Sequence, residues 1–193
     1  GSVASDVNIG PNGVLGGAGD IGGDVVVGSG GIVGPGNSPG TLTVAGDFTF
    51  ASGSTYQVEV LGDGQHDQIV VGGVTTIQSA VQVEVLAGGS AGDYAHLSQY
   101  GILTSAGGIV GQFAGVTSDM AFLTPYLVYT TNAVRLDLVR NDIRFNRFAL
   151  TANQLEVADA AEASGYGADV FDAVVVQNAA GAARAYDALD GQV

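Results

Sequence analysis

The chain has 193 residues, of which 46% are apolar and only 12% charged, which excludes a disordered polypeptide and suffices for one elongated domain or a domain with a small appendix. Its net charge is −14, it contains no lysine, and its five arginines all lie between Arg135 and Arg184, so a nucleic-acid partner, which needs cations to displace counterions, is not expected. The absence of cysteine excludes disulfides, Cys-ligated zinc and thiol catalysis.

Zero cysteine suits a cytosolic protein, and it also suits one that crosses an oxidising compartment without crosslinking. The 32 glycines and the many polar turns favour the second. No run approaches the roughly 18 consecutive apolar residues of a membrane helix. Gly1-Ser2, without a starting Met, is expected to be an artificial leader, so a native signal peptide would not be visible.

In chain order, residues 3–33 are Gly-rich with brief apolar pieces, Val25-Val26-Val27 and Gly31-Ile32-Val33. The cluster Gly34-Pro35-Gly36-Asn37-Ser38-Pro39-Gly40 then runs into Thr41-Leu42-Thr43-Val44. From there to about Val139 the apolar residues alternate with period two. Leu42 and Val44 fall on one face, Phe48 and Phe50 there too, then Tyr56, Val58 and Val60, then Val81, Val83 and Val85. Successive strand residues point to opposite faces, so each segment has one buried and one wet side. Strands of this length, joined by Gly-rich turns, fit either a β-sandwich or a solenoid with glycine corners. A solenoid coil of about 20–25 residues would allow roughly five coils over residues 24–139. No strict repeat is visible. Pro125–Tyr129 and Val134–Val139 flank a polar loop and read as a β-hairpin, a sensible cap for a terminal coil that would otherwise expose unpaired backbone.

After residue 139 the spacing becomes helical. Thr151-Ala152-Asn153-Gln154 predicts a capping box, with Leu150 and Leu155 at the staple positions and a stop at Ser164-Gly165. A second helix is expected over Ala168–Gln177, with Val170, Phe171, Val174 and Val175 on one face, although Val174-Val175-Val176 could also be a strand. A third is expected over Ala179–Leu189. The division is therefore 1–139, a β region with a terminal capping hairpin, and 140–193, a mostly helical tail.

Residues able to carry chemistry are few. His66, Asp67 and Asp63 share a Gly-rich turn and could form a base or a metal fragment, but no nucleophile or second His stands nearby, and a polar turn is the better reading. His96 is isolated. Gly16–Gly19 with Asp20 and Asp24 resembles a calcium-binding glycine–aspartate repeat that does not recur. Gly34–Gly40 lacks the Lys-Ser/Thr of a phosphate loop, and Ser38 lacks a nucleophile-elbow pattern. No catalytic residue, cofactor or metal is expected, and the protein is expected not to be an enzyme. Arg135, Arg140, Arg144 and Arg147 form the basic cluster, either a solvated face paired with Asp137 and Asp142 or a contact for an anionic outer-membrane surface. Phe48, Phe50, Tyr56, Tyr100, Phe113, Phe122, Tyr126, Tyr129 and Leu136 are assigned to the folding core and cap, in preference to a carbohydrate-stacking groove.

The ordered set Gly34–Leu42, Asp67-Gln68-Ile69-Val70-Val71-Gly72-Gly73, Tyr100-Gly101-Ile102-Leu103-Thr104, Gly111-Gln112-Phe113 and Thr151-Ala152-Asn153-Gln154 resembles the C-terminal passenger region of type Va autotransporters, the pertactin-like bacterial surface proteins. The resemblance covers roughly residues 31–190. It implies a mainly β fold: a right-handed parallel β-helix stub capped by a β-hairpin and followed by a short α-helical tail. In that family the stub is an autochaperone or junction region, leading to an α-helical linker and a membrane β-barrel. The implied role is a folding and secretion module at the bacterial cell surface, reached through the periplasm. Its implied partners are the protein's own upstream passenger and downstream β-barrel, with the outer-membrane surface and a host ligand of the whole passenger as further candidates. An adhesin fragment binding host protein or glycan through the β-helix face is the alternative, and a polysaccharide-cleaving β-helix enzyme is the weakest of the three.

Overall fold

The computed structural model describes residues 1–36, 39–87 and 97–189. The chain winds into five coils of three short strands each. They are β1 (Ser2–Val3), β2 (Val7–Ile9) and β3 (Val14–Gly16); β4 (Gly19–Ile21), β5 (Val25–Val27) and β6 (Ile32–Gly34); β7 (Thr41–Val44), β8 (Phe48–Phe50) and β9 (Thr55–Val60); β10 (Gln68–Val71), β11 (Thr75–Ile77) and β12 (Gln82–Ala87); and β13 (Leu97–Ser105), β14 (Ile109–Val110) and β15 (Gly115–Ser118). Strands one coil apart pair in parallel, giving three sheets along the axis, β1-β4-β7-β10-β13, β2-β5-β8-β11-β14 and β3-β6-β9-β12-β15. The solenoid reading therefore holds over the sandwich, as a parallel β-helix.

Period two decides which side chains enter the coil. In β5 Val25 and Val27 are buried and Val26 is exposed. Inward positions stack in columns from coil to coil: Leu15, Val33, Tyr56, Val83 and Val116 in one sheet, and Ile9, Val27, Phe50 and Ile77 in another. Phe50 contacts Phe48, Tyr56 and Phe113, with ring centroids 4.7, 5.8 and 5.3 Å apart. The coils therefore share one apolar core.

The Gly-rich stretch 3–33 holds the first two coils, so coiling begins well before residue 24. Aligned positions Val7, Val25, Phe48, Thr75 and Ile109 are 18, 23, 27 and 34 residues apart, which is why no fixed-period repeat shows in the sequence. Two of the three corners are nevertheless constant. The first always has three residues (4–6, 22–24, 45–47, 72–74, 106–108) and the second always four (10–13, 28–31, 51–54, 78–81, 111–114). The third residue of the second corner sits in the left-handed region at Asn12, Gly30, Gly53 and Ala80, with φ of 60, 74, 77 and 60°. Growth falls in the third corner and the strands beside it.

Beyond the last coil, β16 (Leu123–Tyr129) and β17 (Ala133–Arg140) form the expected hairpin. β17 pairs antiparallel with β13, with an irregularity between Gly101 and Leu103. A 3₁₀ turn (Phe145–Phe148) and three helices follow, α1 (Ala152–Ser164), α2 (Asp169–Val175) and α3 (Ala179–Leu189). Thr151 caps α1 as expected, accepting the Gln154 N–H at 3.2 Å, while Gln154 Oε1 accepts the Leu150 N–H at 2.6 Å. The staple does not form: Leu150 is 80% exposed and Leu155 43%. The run Val174-Val175-Val176 is the end of α2, not a strand.

Candidate functional site

No group of His, Cys, Asp or Glu side chains able to hold a metal converges among the described residues. What distinguishes the molecule is the difference between the two ends of the coil. At the N-terminal end β1, β2 and β3 are the outermost strands of their sheets. They surround a cavity of about 400 Å³ that opens into the coil interior, lined by Val3, Val7, Leu15, Ile21 and Leu42 among others. Both the backbone edges and the apolar core are accessible there.

The other end is closed in two layers. The hairpin loop lies over the last first corner: Ser105 N–H donates to Asn132 O at 2.9 Å, Ile109 N–H to Thr131 O at 2.9 Å, and Asn132 Nδ2 to Ser105 O at 2.8 Å. Tyr129 Oη accepts the Phe113 N–H at 3.0 Å. The helices form the second layer. Phe122 packs on Phe145 at 4.7 Å, Phe145 on Phe171 at 4.9 Å, Ala121 N–H donates to Gln177 O at 2.8 Å, and Tyr186 Oη donates to Phe145 O at 2.7 Å. Burial pushes the Tyr186 phenol up to about 12, with a smaller push from Glu162 that Arg140 opposes.

Arg140 joins the layers. Its guanidinium lies over Phe122 and Phe145, 5.5 and 5.1 Å from the ring centroids, donates to Asn141 O at 2.6 Å, and pairs with Glu162 at 3.1 Å with its side chain only 10% exposed. Arg144 pairs with Glu162 and Asp159, and Arg135 with Asp137 at 2.6 Å. Arg147 and Asp142 line an open groove of about 470 Å³ with Ile143 and Phe148. Three of the four clustered arginines are thus engaged by carboxylates of the chain itself, and Asp142 is not among their partners in the described ion pairs.

Of the residues assigned to core and cap, Phe48, Phe50, Tyr56, Tyr100, Phe113, Phe122 and Leu136 are buried and Tyr129 is partly so. Tyr126 differs: it is 53% exposed, because β16 turns Leu123, Leu127 and Tyr129 inward and Tyr126 and Val128 outward. Tyr56 and Tyr100 cross between parts of the coil, donating to Ile102 O at 2.6 Å and Leu61 O at 2.9 Å, and burial raises both phenols, Tyr100 to about 12.

The His66 turn is a structural corner. Its ring nitrogens lie 2.9 and 3.2 Å from Gly64 O and Gly101 O. Asp67 accepts the Gly40 and Glu59 N–H groups, both at 2.9 Å. Burial lifts the Asp67 carboxyl above its ordinary value of 3.8, although these two bonds oppose the rise. Asp63, exposed, is held low by the Gln65 N–H. His96 and Ser38 lie outside the described residues. Asp24 is taken up in a backbone bond to Asp47, and Asp20 stands on the outer face of β4.

Sequence reasoning did not single out Arg140 as a keystone, nor Asn132, Gln154 or Tyr186 as bridges. The distant partners that they bridge to are 18 to 41 residues away, and no local pattern announces them. The couples Gly23-Asp24 and Gly46-Asp47, in equivalent corners, were a usable signal of the coil register.

No family model matches the chain. It is similar to two proteins of Serratia marcescens, each named an extracellular serine protease, at 36% identity over 168 residues and 31% over 176. In each case the match covers 84% of this chain and 16% of the relative, so the chain spans about one sixth of the length of the curated relatives it matches. The expectation that the protein is not an enzyme is corrected by this finding, since the relatives carry the name of a protease.

Proposed function

We propose that this chain is the β-helical base of an autotransporter-type extracellular serine protease, and that it templates the folding of the polypeptide upstream of it at the cell surface. The observation that carries this reading is the asymmetry of the coil. Three edge strands and an apolar mouth are open at the N-terminal end, whereas hairpin and helices close the C-terminal end. A segment pairing with β1, β2 and β3 would satisfy their outer N–H and C=O groups and bury apolar surface at roughly 25 cal/mol per Å². A capped end offers no equivalent, so growth runs in one direction, toward the N-terminus. Each added coil makes retreat more costly and biases transport outward.

In this reading the partners are the upstream passenger and the downstream β-barrel of the same protein, and the location is the exterior of the outer membrane. The proteolytic activity named for the relatives is proposed for the whole protein, with this segment as its support. Deleting residues 120–139 from the intact protein should abolish surface display and leave the passenger sensitive to added protease. Undiminished display of a protease-resistant passenger would refute the templating role.

A further inference from the structure

The first corners of the first four coils are joined by a polar device that templating by itself leaves without a role. Asp24 N–H donates to Asp6 Oδ1 at 2.9 Å, Asp47 N–H to Asp24 Oδ1 at 2.8 Å, and Val74 N–H to Asp47 Oδ1 at 2.7 Å. Each donor stands at the same corner position as its acceptor, one coil further along. The glycine before each donor is required by sterics. A Cβ at Gly23, Gly46 or Gly73 would collide with Oδ1 of Asp6, Asp24 or Asp47 respectively, so the missing side chain leaves a slot that the carboxylate fills. The column has a direction. The acceptor always belongs to the coil nearer the open end and the donor to the coil nearer the cap.

We propose that Asp6, Asp24 and Asp47 are register-determining residues of coil addition, a role that rests on growth from the capped end. A formed coil presents one backbone N–H beside a Cβ-free slot. The arriving segment supplies a carboxylate that fits the slot and accepts the bond, and its own N–H then becomes the donor for the segment after it. A slip of one residue would turn every side chain of the new strand to the other face and draw the carboxylate out of its slot. The corner suits this task because its length never changes, whereas the third corner, where fully described, has two residues (17–18) in one coil and seven (61–67) in another and cannot set the phase of the strands it joins.

The test is refolding of the 193-residue chain from urea with pulsed hydrogen exchange. Asp47→Ala is expected to refold about tenfold more slowly, with an unfolding rate within about twofold of the parent. Asp47→Asn is expected to refold at the parent rate, because the amide Oδ1 still accepts. Equal loss in both variants, or a loss confined to the unfolding rate, would overturn the register role and leave an ordinary stabilising bond. Asp24→Ala guards against a variant that fails to fold. Delayed protection of β4–β6 with normal protection of β7–β17 is expected, and normal timing throughout would also overturn the role. The parent chain separates the two ideas: protection of β4–β6 before β13 would defeat templating itself, whereas β13 first, with every Asp variant at the parent rate, would defeat only the register key.

Discussion

At the N-terminal end of the coil, Val7, Ile9 and Leu15 are only partly buried, Val14 is 64% exposed, and the outer edges of β1–β3 have no partner strand among the described residues. At the C-terminal end, β13 is nine residues long and its edge is paired antiparallel with β17, and Phe122, Phe145 and Leu136 are all fully buried. The same repeating strand thus exists in two energetic settings. Order at the capped end is built from contacts already in place, whereas order at the open end depends on what stacks upon it. In the 193-residue chain taken by itself, local opening is expected to begin at β1–β3, because local stability follows the density of buried contacts.

That contrast can be broken most severely at the junction of hairpin and helices. Phe122→Ala removes a ring shared by Phe145, Phe148 and the Arg140 guanidinium and is expected to cost about 3–5 kcal/mol in urea unfolding. Val7→Ala, at the open mouth, is expected to cost less than about 1 kcal/mol, since the side chain is only partly removed from water. Similar losses for the two would mean that the ends do not differ.

A smaller effect comes from alkaline pH. Tyr100 in the last coil and Tyr186 in the helical layer are both lifted from 10.0 to about 12, chiefly by burial. A phenol raised in the folded state stabilises the fold fully below its unfolded value and loses that contribution as pH climbs through the folded one. Stability is therefore expected to fall as pH climbs from about 10 to about 12. Tyr186→Phe should remove only its own share of that slope in a pH series of urea midpoints, because Tyr56, Tyr129 and Tyr166 are also raised by burial, and an unchanged slope would contradict the assignment.

The smallest effect sharpens the comparison inside the coil. The Thr75 hydroxyl is buried with no hydrogen-bond partner among the described residues, in a column with Val25, Phe48 and Ile109. Thr75→Val keeps the shape and removes the orphaned hydroxyl, so a gain of about 1 kcal/mol is expected. A loss in the thermal midpoint would show that the hydroxyl has a use.

Much of the local structure was legible in the chain. Alternation at Tyr56–Val60 and Val81–Val85 marked strands with one wet face, Thr151 and Gln154 marked a helix start, and Gly165 a helix stop. These signals act through neighbours within four residues, where sterics and a single hydrogen bond decide the outcome. The absence of lysine, and of any arginine before Arg135, likewise fixes the charge of the coil whatever its fold.

Only the tertiary structure decided which residues meet. The strands pair across 18 to 34 residues with third corners of unequal length, so the columns that bury Phe48 and Phe50 follow no fixed period in the sequence. Tyr126 turned outward because β17 set which face of β16 meets the coil, and Leu150 stayed in water because nothing packs where a staple would place it. Arg140 became a keystone because Glu162 of α1, Phe145 of the 3₁₀ turn and Phe122, just before β16, converge on it. Burial and pairing between distant segments are properties of the assembled coil, and a linear pattern records only the tendency of each strand to enter it.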